Sequence, residues 1–184
     1  VAVGRFPGRR TIIVLLNALL GLPSVVVGLV VYLMLSRAGP LGSWGLLFTP
    51  GAIVVAQTVL VIPIVAALSR QAVEDAWAEY EEQLRSLGVG TARAVRTLLW
   101  DTRYSLLTVA LAGFGRAASE VGAVMIVGGH IDGVTRVMTT AIALETSKGD
   151  LPLALALGIV LILVVLAVNA AAYAIREWSA KRHG

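Results

Sequence analysis

From Leu151 to Ile175 the chain reads LPLALALGIVLILVVLAVNAAAYAI, without one charged side chain. About 20 such residues in a helix cross the roughly 30 Å hydrocarbon layer of a bilayer. Three more stretches read the same way. Thr11 to Ser36 is uncharged, interrupted by Asn17 and by Gly21-Leu22-Pro23; Thr49 to Ser69 is uncharged and carries Pro63 near its end. Tyr104 to Ile131 holds Arg116 and Glu120 in its interior and His130 at its edge. Lipid offers no hydrogen-bond partners, so a spanning segment must satisfy its backbone internally. The chain is therefore predicted to be all-α: a polytopic membrane protein with four transmembrane helices, over about 11–36, 49–69, 104–131 and 151–175, in a single membrane domain covering 1–184. Composition agrees, because 14% charged residues and a mean hydropathy of +0.86 lie outside the soluble range for 184 residues.

Several function classes drop out. No cysteine is present, which removes disulfides and thiolate metal sites. Histidine occurs only at His130 and His183, so most metal and histidine-based catalytic schemes are lost as well. Ser147-Lys148-Gly149-Asp150 lacks the preceding glycine spacing of a phosphate-binding loop. No catalytic constellation, metal, cofactor or nucleic-acid partner is expected. The chain starts with Val and shows no cleavable signal, and is read as a fragment preceded by further sequence.

Arginine and lysine set the orientation, since short cytoplasmic loops are enriched in them. With the N-terminus inside, Arg5, Arg9, Arg10, Arg70, Arg85, Arg93, Arg96, Arg103, Arg176, Lys181 and Arg182 fall on the cytoplasmic side. Only Arg37, Arg136 and Lys148 fall outside, and Arg116 lies within a span. The longest polar excursion, 70–103, is then cytoplasmic.

That excursion has the pattern of helix, turn, helix. Ala76, Tyr80, Leu84 and Leu87 recur on one helical face. Glu81 precedes Arg85 by four residues, the favoured order for a helical ion pair. Gly88 and Gly90 mark a helix end and a turn, and Ala92, Val95, Leu98 and Leu99 give a second apolar stripe. A plain amphipathic connector has the same pattern. On the other side, 38–48 is a Gly/Pro-rich loop, and Val134 to Glu145 is expected to form a helix at the outer surface or dipping back into the membrane.

More than amphipathicity is present in EEQLRSLGVGTARAVRTLLWD. It resembles the EAA loop of ABC importer permeases, in which a glutamate and two small residues are followed, three residues later, by glycine. Glu82 matches the glutamate, Gln83 and Leu84 occupy the alanine positions, and Gly88 matches the glycine. The Leu-Pro that closes the motif is replaced around Trp100-Asp101. GFGRAASEVGAVMIVGGHI, Gly113 to Ile131, resembles the following membrane segment in the molybdate, sulfate and tungstate branch. TRVMTTAIALETSKGDLPLALALGIVL and LLNALLGLPSVVVGLVVYLMLSRAGPLG look most like the tungstate-type permeases, so the resemblance covers nearly the whole chain.

The resemblance implies a type I ABC importer permease, usually with one more helix before the start of this sequence. It further implies an inner-membrane homodimer in contact with lipid, two cytoplasmic ATPase subunits seated against Glu82, Gln83, Leu84 and Gly88, and an extracytoplasmic solute-binding protein. Arg116 and Glu120 are candidates for the translocation path, because ionisable residues within a span tend to face a protein interior or an aqueous route. Four residues apart, they also suit a buried pair holding helices together. Gly115, Ser119 and Ala123 form a small-residue stripe suited to close helix approach. Asn17 and Asn169 are expected to hydrogen-bond between helices, Trp44, Trp100 and Trp178 to sit at the membrane interfaces, and His130 receives no role. The rival readings are an ATPase-independent secondary transporter or channel for a small ion, and a scaffold subunit.

Overall fold

The computed structural model describes residues 2–3 and 6–183, with 176 and 179–183 described by backbone alone. Among the described residues the chain is helical, with no strand: α1 (Arg9–Leu19), α2 (Ser24–Leu35), α3 (Pro50–Ser86), α4 (Thr91–Asp101), α5 (Arg103–Ala118), α6 (Gly122–Gly128), α7 (Met138–Lys148) and α8 (Leu151–His183). Two helices are long and apolar enough to cross a membrane unaided, α3 and α8. The pairs α1–α2 and α5–α6 reach that length only when the helices on either side of a short break count as one span. The expected first span is thus divided where Gly21-Leu22-Pro23 stands. The expected third span is divided at 119–121, a break the sequence did not announce.

Leu151–Ile175, at 25 residues, extends about 37 Å at 1.5 Å per residue, more than the hydrocarbon layer requires. Leu155, Val160, Leu163 and Val164 are each about 45% or more exposed, and at 100° per residue they lie on different sides of the helix. A helix apolar all round is stable only when lipid or other helices cover it. Asn169 donates to the Val165 carbonyl of its own helix at 2.8 Å, so it makes an intrahelical bond where an interhelical one was expected. Asn17 is exposed on α1.

The chain forms two compact units. One comprises 22–60 and 115–184. Its core joins Val27, Val31 and Leu35 of α2, Ala52, Ile53, Ala56 and Leu60 of α3, and Ala123, Val124 and Val127 of α6. At the closest approach of α2 and α6, a Cβ on Gly28 would stand 2.7 Å from the Ala123 Cα, so only glycine permits this packing. Of the expected small-residue stripe, then, only Ala123 mediates such an approach. Gly115 has nothing near its Cα hydrogen and Ser119 is exposed, because the break between α5 and α6 takes them off a common face. The outer helix expected within 134–145 exists as α7, packed on α8. It starts later than expected because Thr135 folds back, accepting from the Ile131 N–H (2.8 Å) and donating to the Gly128 carbonyl (2.6 Å).

The other unit comprises 1–21 and 61–114. Val73, Ala76 and Leu98 form its small core, with Trp77, Tyr80 and Leu84 packed around them. Glu74 is held between Arg9 and Arg70. Gly113 of α5 lies against Val61 and Val65 of α3, where a Cβ would meet the Val65 side chain at 2.8 Å.

Candidate functional site

The end of α3 and the start of α4 make one corner. With 37 residues, α3 carries the apolar run and the charged run in one helix, with Pro63 inside it. The expected second span and the first helix of the polar excursion are therefore continuous. The helix ends in a glycine closure. Gly88 takes φ +66°, its N–H donates to the Arg85 carbonyl (3.0 Å), and the Val89 N–H reaches back to the Leu84 carbonyl (3.1 Å). A left-handed residue followed by this back-bond satisfies carbonyls that the last helical turn leaves open. Gly90 then runs extended into α4, and its carbonyl accepts from the Ala94 N–H.

The four residues matched to the EAA pattern are brought together at this corner. Glu82, Gln83 and Gly88 are exposed, and Leu84 is half-buried against the Val73/Ala76/Leu98 cluster. The expected ion pair forms, Arg85 to Glu81 at 2.5 Å. Two expectations about faces need correction. Leu87 is 76% exposed and leaves the apolar stripe, because the chain has already turned at Gly88. In α4 the buried positions are Ala94 and Leu98, followed by Thr102, whereas Ala92 and Leu99 are exposed. A groove of about 270 Å³ lies at the corner, lined by Tyr80, Gln83, Leu84, Leu87, Thr97, Leu98 and Asp101.

The second constellation sits at the α5–α6 break. Arg116, in the last turn of α5, donates to Glu120 Oε2 at 2.6 Å. Glu120 lies just past the helix end, so the pair does not share one continuous helical face; the break still keeps the two within reach. The other carboxylate oxygen accepts from the Ala123 N–H of α6 at 3.1 Å. A carboxylate is favoured there because the first turn of a helix presents open N–H groups and partial positive charge. The Glu120 carbonyl accepts from the Thr139 hydroxyl (2.9 Å), and Ser24 Oγ lies near the carboxylate, since a Cβ on Gly122 would meet Ser24 Oγ at 3.3 Å and Glu120 Oε1 at 3.7 Å. Gln57 of α3 donates to the Ala117 carbonyl at 3.1 Å and closes the end of α5.

Burial is uneven across the pair: the Glu120 side chain is 3% exposed and that of Arg116 34%. The carboxylate is consumed by the protein, while part of the guanidinium remains open and can offer hydrogen bonds to an anion. Sequence reading found Arg116 and Glu120 by their charge. It passed over Ser24, Gln57 and Thr139, although Gln57 is the one amide side chain in the apolar run 49–69 and was the available signal. His130 has φ +51° and buried ring nitrogens with no hydrogen-bond partner among the described residues. No group of three metal-ligating side chains occurs among the described residues.

Residues 2–183 match the binding-protein-dependent transport system inner membrane component family. The tungstate uptake system permease protein TupB of Peptoclostridium acidaminophilum is 42% identical over 175 residues, covering 95% of this chain and 77% of that protein. A probable anion ABC transporter permease protein of Haloferax volcanii is 40% identical over 184 residues, 97% of this chain and 79% of its own length. The TupB protein of Campylobacter jejuni is 39% identical over 164 residues, covering 89% of this chain and 69% of that relative.

Proposed function

This chain belongs to the family of binding-protein-dependent transport system inner membrane components, and from that premise we propose that it is the permease subunit of an ATP-driven importer whose anion is tungstate. The observation that carries the choice of anion is the 42% and 39% identity to two tungstate uptake permeases. In this reading the chain is a transport component forming one membrane domain, paired with a second copy. Partner ATPases hydrolyse ATP at the cytoplasmic face, and a solute-binding protein delivers the anion from the other side.

The corner formed by Glu82, Gln83, Leu84 and Gly88 is the contact for the ATPase. Continuous helix supports this assignment, since α3 runs from the corner into the apolar segment without a break. A partner that binds the corner differently in its two nucleotide states can bias the membrane helices between two arrangements. Arg116 lies on the anion path: its partly open guanidinium supplies the positive potential and donors a tetrahedral dianion needs, and Glu120 holds it in place.

ATP-dependent uptake into vesicles carrying the reconstituted complex tests the reading. Tungstate is expected to accumulate only with ATP, and ahead of molybdate and sulfate; equal uptake without ATP would point to a secondary transporter. Glu82→Lys is expected to weaken co-purification with the ATPase subunit, and unchanged association would move the docking contact elsewhere.

A further inference from the structure

Helix α4 carries a second exposed surface, separate from the four residues proposed to meet the ATPase. Its buried side is Ala94, Leu98 and, just beyond, Thr102, at intervals of four. Arg93, Arg96, Trp100 and Arg103 follow one another at intervals of three, four and three, which places them together on the opposite side. Arg93 and Arg96 are exposed, Trp100 is 70% exposed, and Arg93, Arg96, Thr97, Leu99 and Trp100 line one open groove. Among the described residues neither Arg93 nor Arg96 has an ion-pair partner, whereas Arg9, Arg70, Arg85, Arg116 and Arg136 all do.

The charges around the corner are segregated. No acidic residue occurs between Arg85 and Trp100. Asp101 lines the groove with Tyr80 and Gln83, on the side of α4 that turns toward α3. Arg103 stacks over Trp100 (4.9 Å) and Tyr104 (4.5 Å), and donates to the Trp100 carbonyl at 2.8 Å, fixing the aromatic end of the face. Arg103 is also the first residue of α5, whose apolar run begins at once, so this end of the face stands where a span meets water.

We propose that Arg93, Arg96 and Trp100, with Arg103 beside them, bind the phosphate of an anionic phospholipid headgroup at the membrane–water boundary. Two unneutralised guanidiniums are opposite in sign to a phosphodiester and suit its oxygens in donor geometry. A largely exposed indole next to them suits the headgroup level, where amphipathic aromatics are stable. The site rests on the family's placement in a membrane and is independent of which anion is transported.

The test titrates the complex of the intact permease with its ATPase subunits, in neutral detergent, with phosphatidylglycerol and separately with phosphatidylcholine, and counts retained lipid and retained ATPase by native mass spectrometry. Two juxtamembrane arginines at about 1 kcal/mol each correspond to about a thirtyfold preference for the anionic lipid. Arg93→Gln/Arg96→Gln is expected to remove that preference, Arg93→Lys/Arg96→Lys to keep most of it, and Glu82→Gln to leave it unchanged. Should the double variant not be isolable, each single Gln variant is expected to lose about fivefold, from one arginine's share of the same attraction. An undiminished preference in the Gln variants overturns the site. So does displacement of the lipid by millimolar inorganic phosphate, which would mark a free-anion site. Loss of the ATPase subunit with lipid retention unchanged would make the face a protein contact instead. Each readout is taken without transport, so a failed tungstate assay and a failed lipid site remain distinguishable.

Discussion

Charge is handled in opposite ways at the α5–α6 break and at the α3–α4 corner. At the break, Glu120 is 3% exposed, and both carboxylate oxygens and the carbonyl of this one residue are bonded to Arg116, Ala123 and Thr139. At the corner, Glu82, Arg93 and Arg96 point outward, and the buried contacts are made by apolar neighbours such as Leu84, Ala94 and Leu98. An ion desolvated among apolar helices persists only when its partners are fixed, so the break is a rigid knot. Exposed charge costs little to maintain, so the corner can keep its charges ready for a partner. The same residue types are bonded internally in one place and left exposed in the other.

Removing the acid from the knot should break this contrast most severely. Glu120→Ala leaves Arg116 without its carboxylate and opens the first turn of α6, and a loss of about 3–5 kcal/mol is expected in detergent unfolding. Arg116→Met/Glu120→Met should recover most of that loss; wild-type stability in the single variant would show that the knot is not structural. Next comes the tight contact of α2 with α6. In Gly28→Ala the new methyl would stand 2.7 Å from the Ala123 Cα, so about 1–3 kcal/mol should be lost through overpacking, read by the same melt.

At the corner, Gly88→Ala meets open space but must hold φ +66°, and about 1–2 kcal/mol of strain is expected. Gly88→Asn should cost less, since asparagine tolerates the left-handed region. The smallest effect belongs to Glu82→Lys. As an exposed substitution it should shift stability by less than about 0.5 kcal/mol while still weakening ATPase association. A large loss of stability there would erase the distinction between the two regions.

Much of this was legible in order of residues. Gly21-Leu22-Pro23 marks the division of α1 from α2, Gly88 and Gly90 mark the corner, and Arg116 and Glu120 stand out by charge alone. The face of α4 was not legible. Ala92, Ala94, Val95, Leu98 and Leu99 supply two overlapping apolar stripes, and packing on Val73 and Ala76 selected the one through Ala94 and Leu98. Hydropathy was equally blind to the break at 119–121, which depends on a side chain replacing backbone bonds at the start of α6.

The sequence by itself determined that this protein is helical and built for a membrane, because long uncharged runs leave a backbone no other way to satisfy its hydrogen bonds. It also determined where charge was available. Only the tertiary structure decided which charges are spent internally and which face outward. That choice depends on burial and on partners far apart in the chain, such as Thr139 with Glu120, that no local pattern encodes.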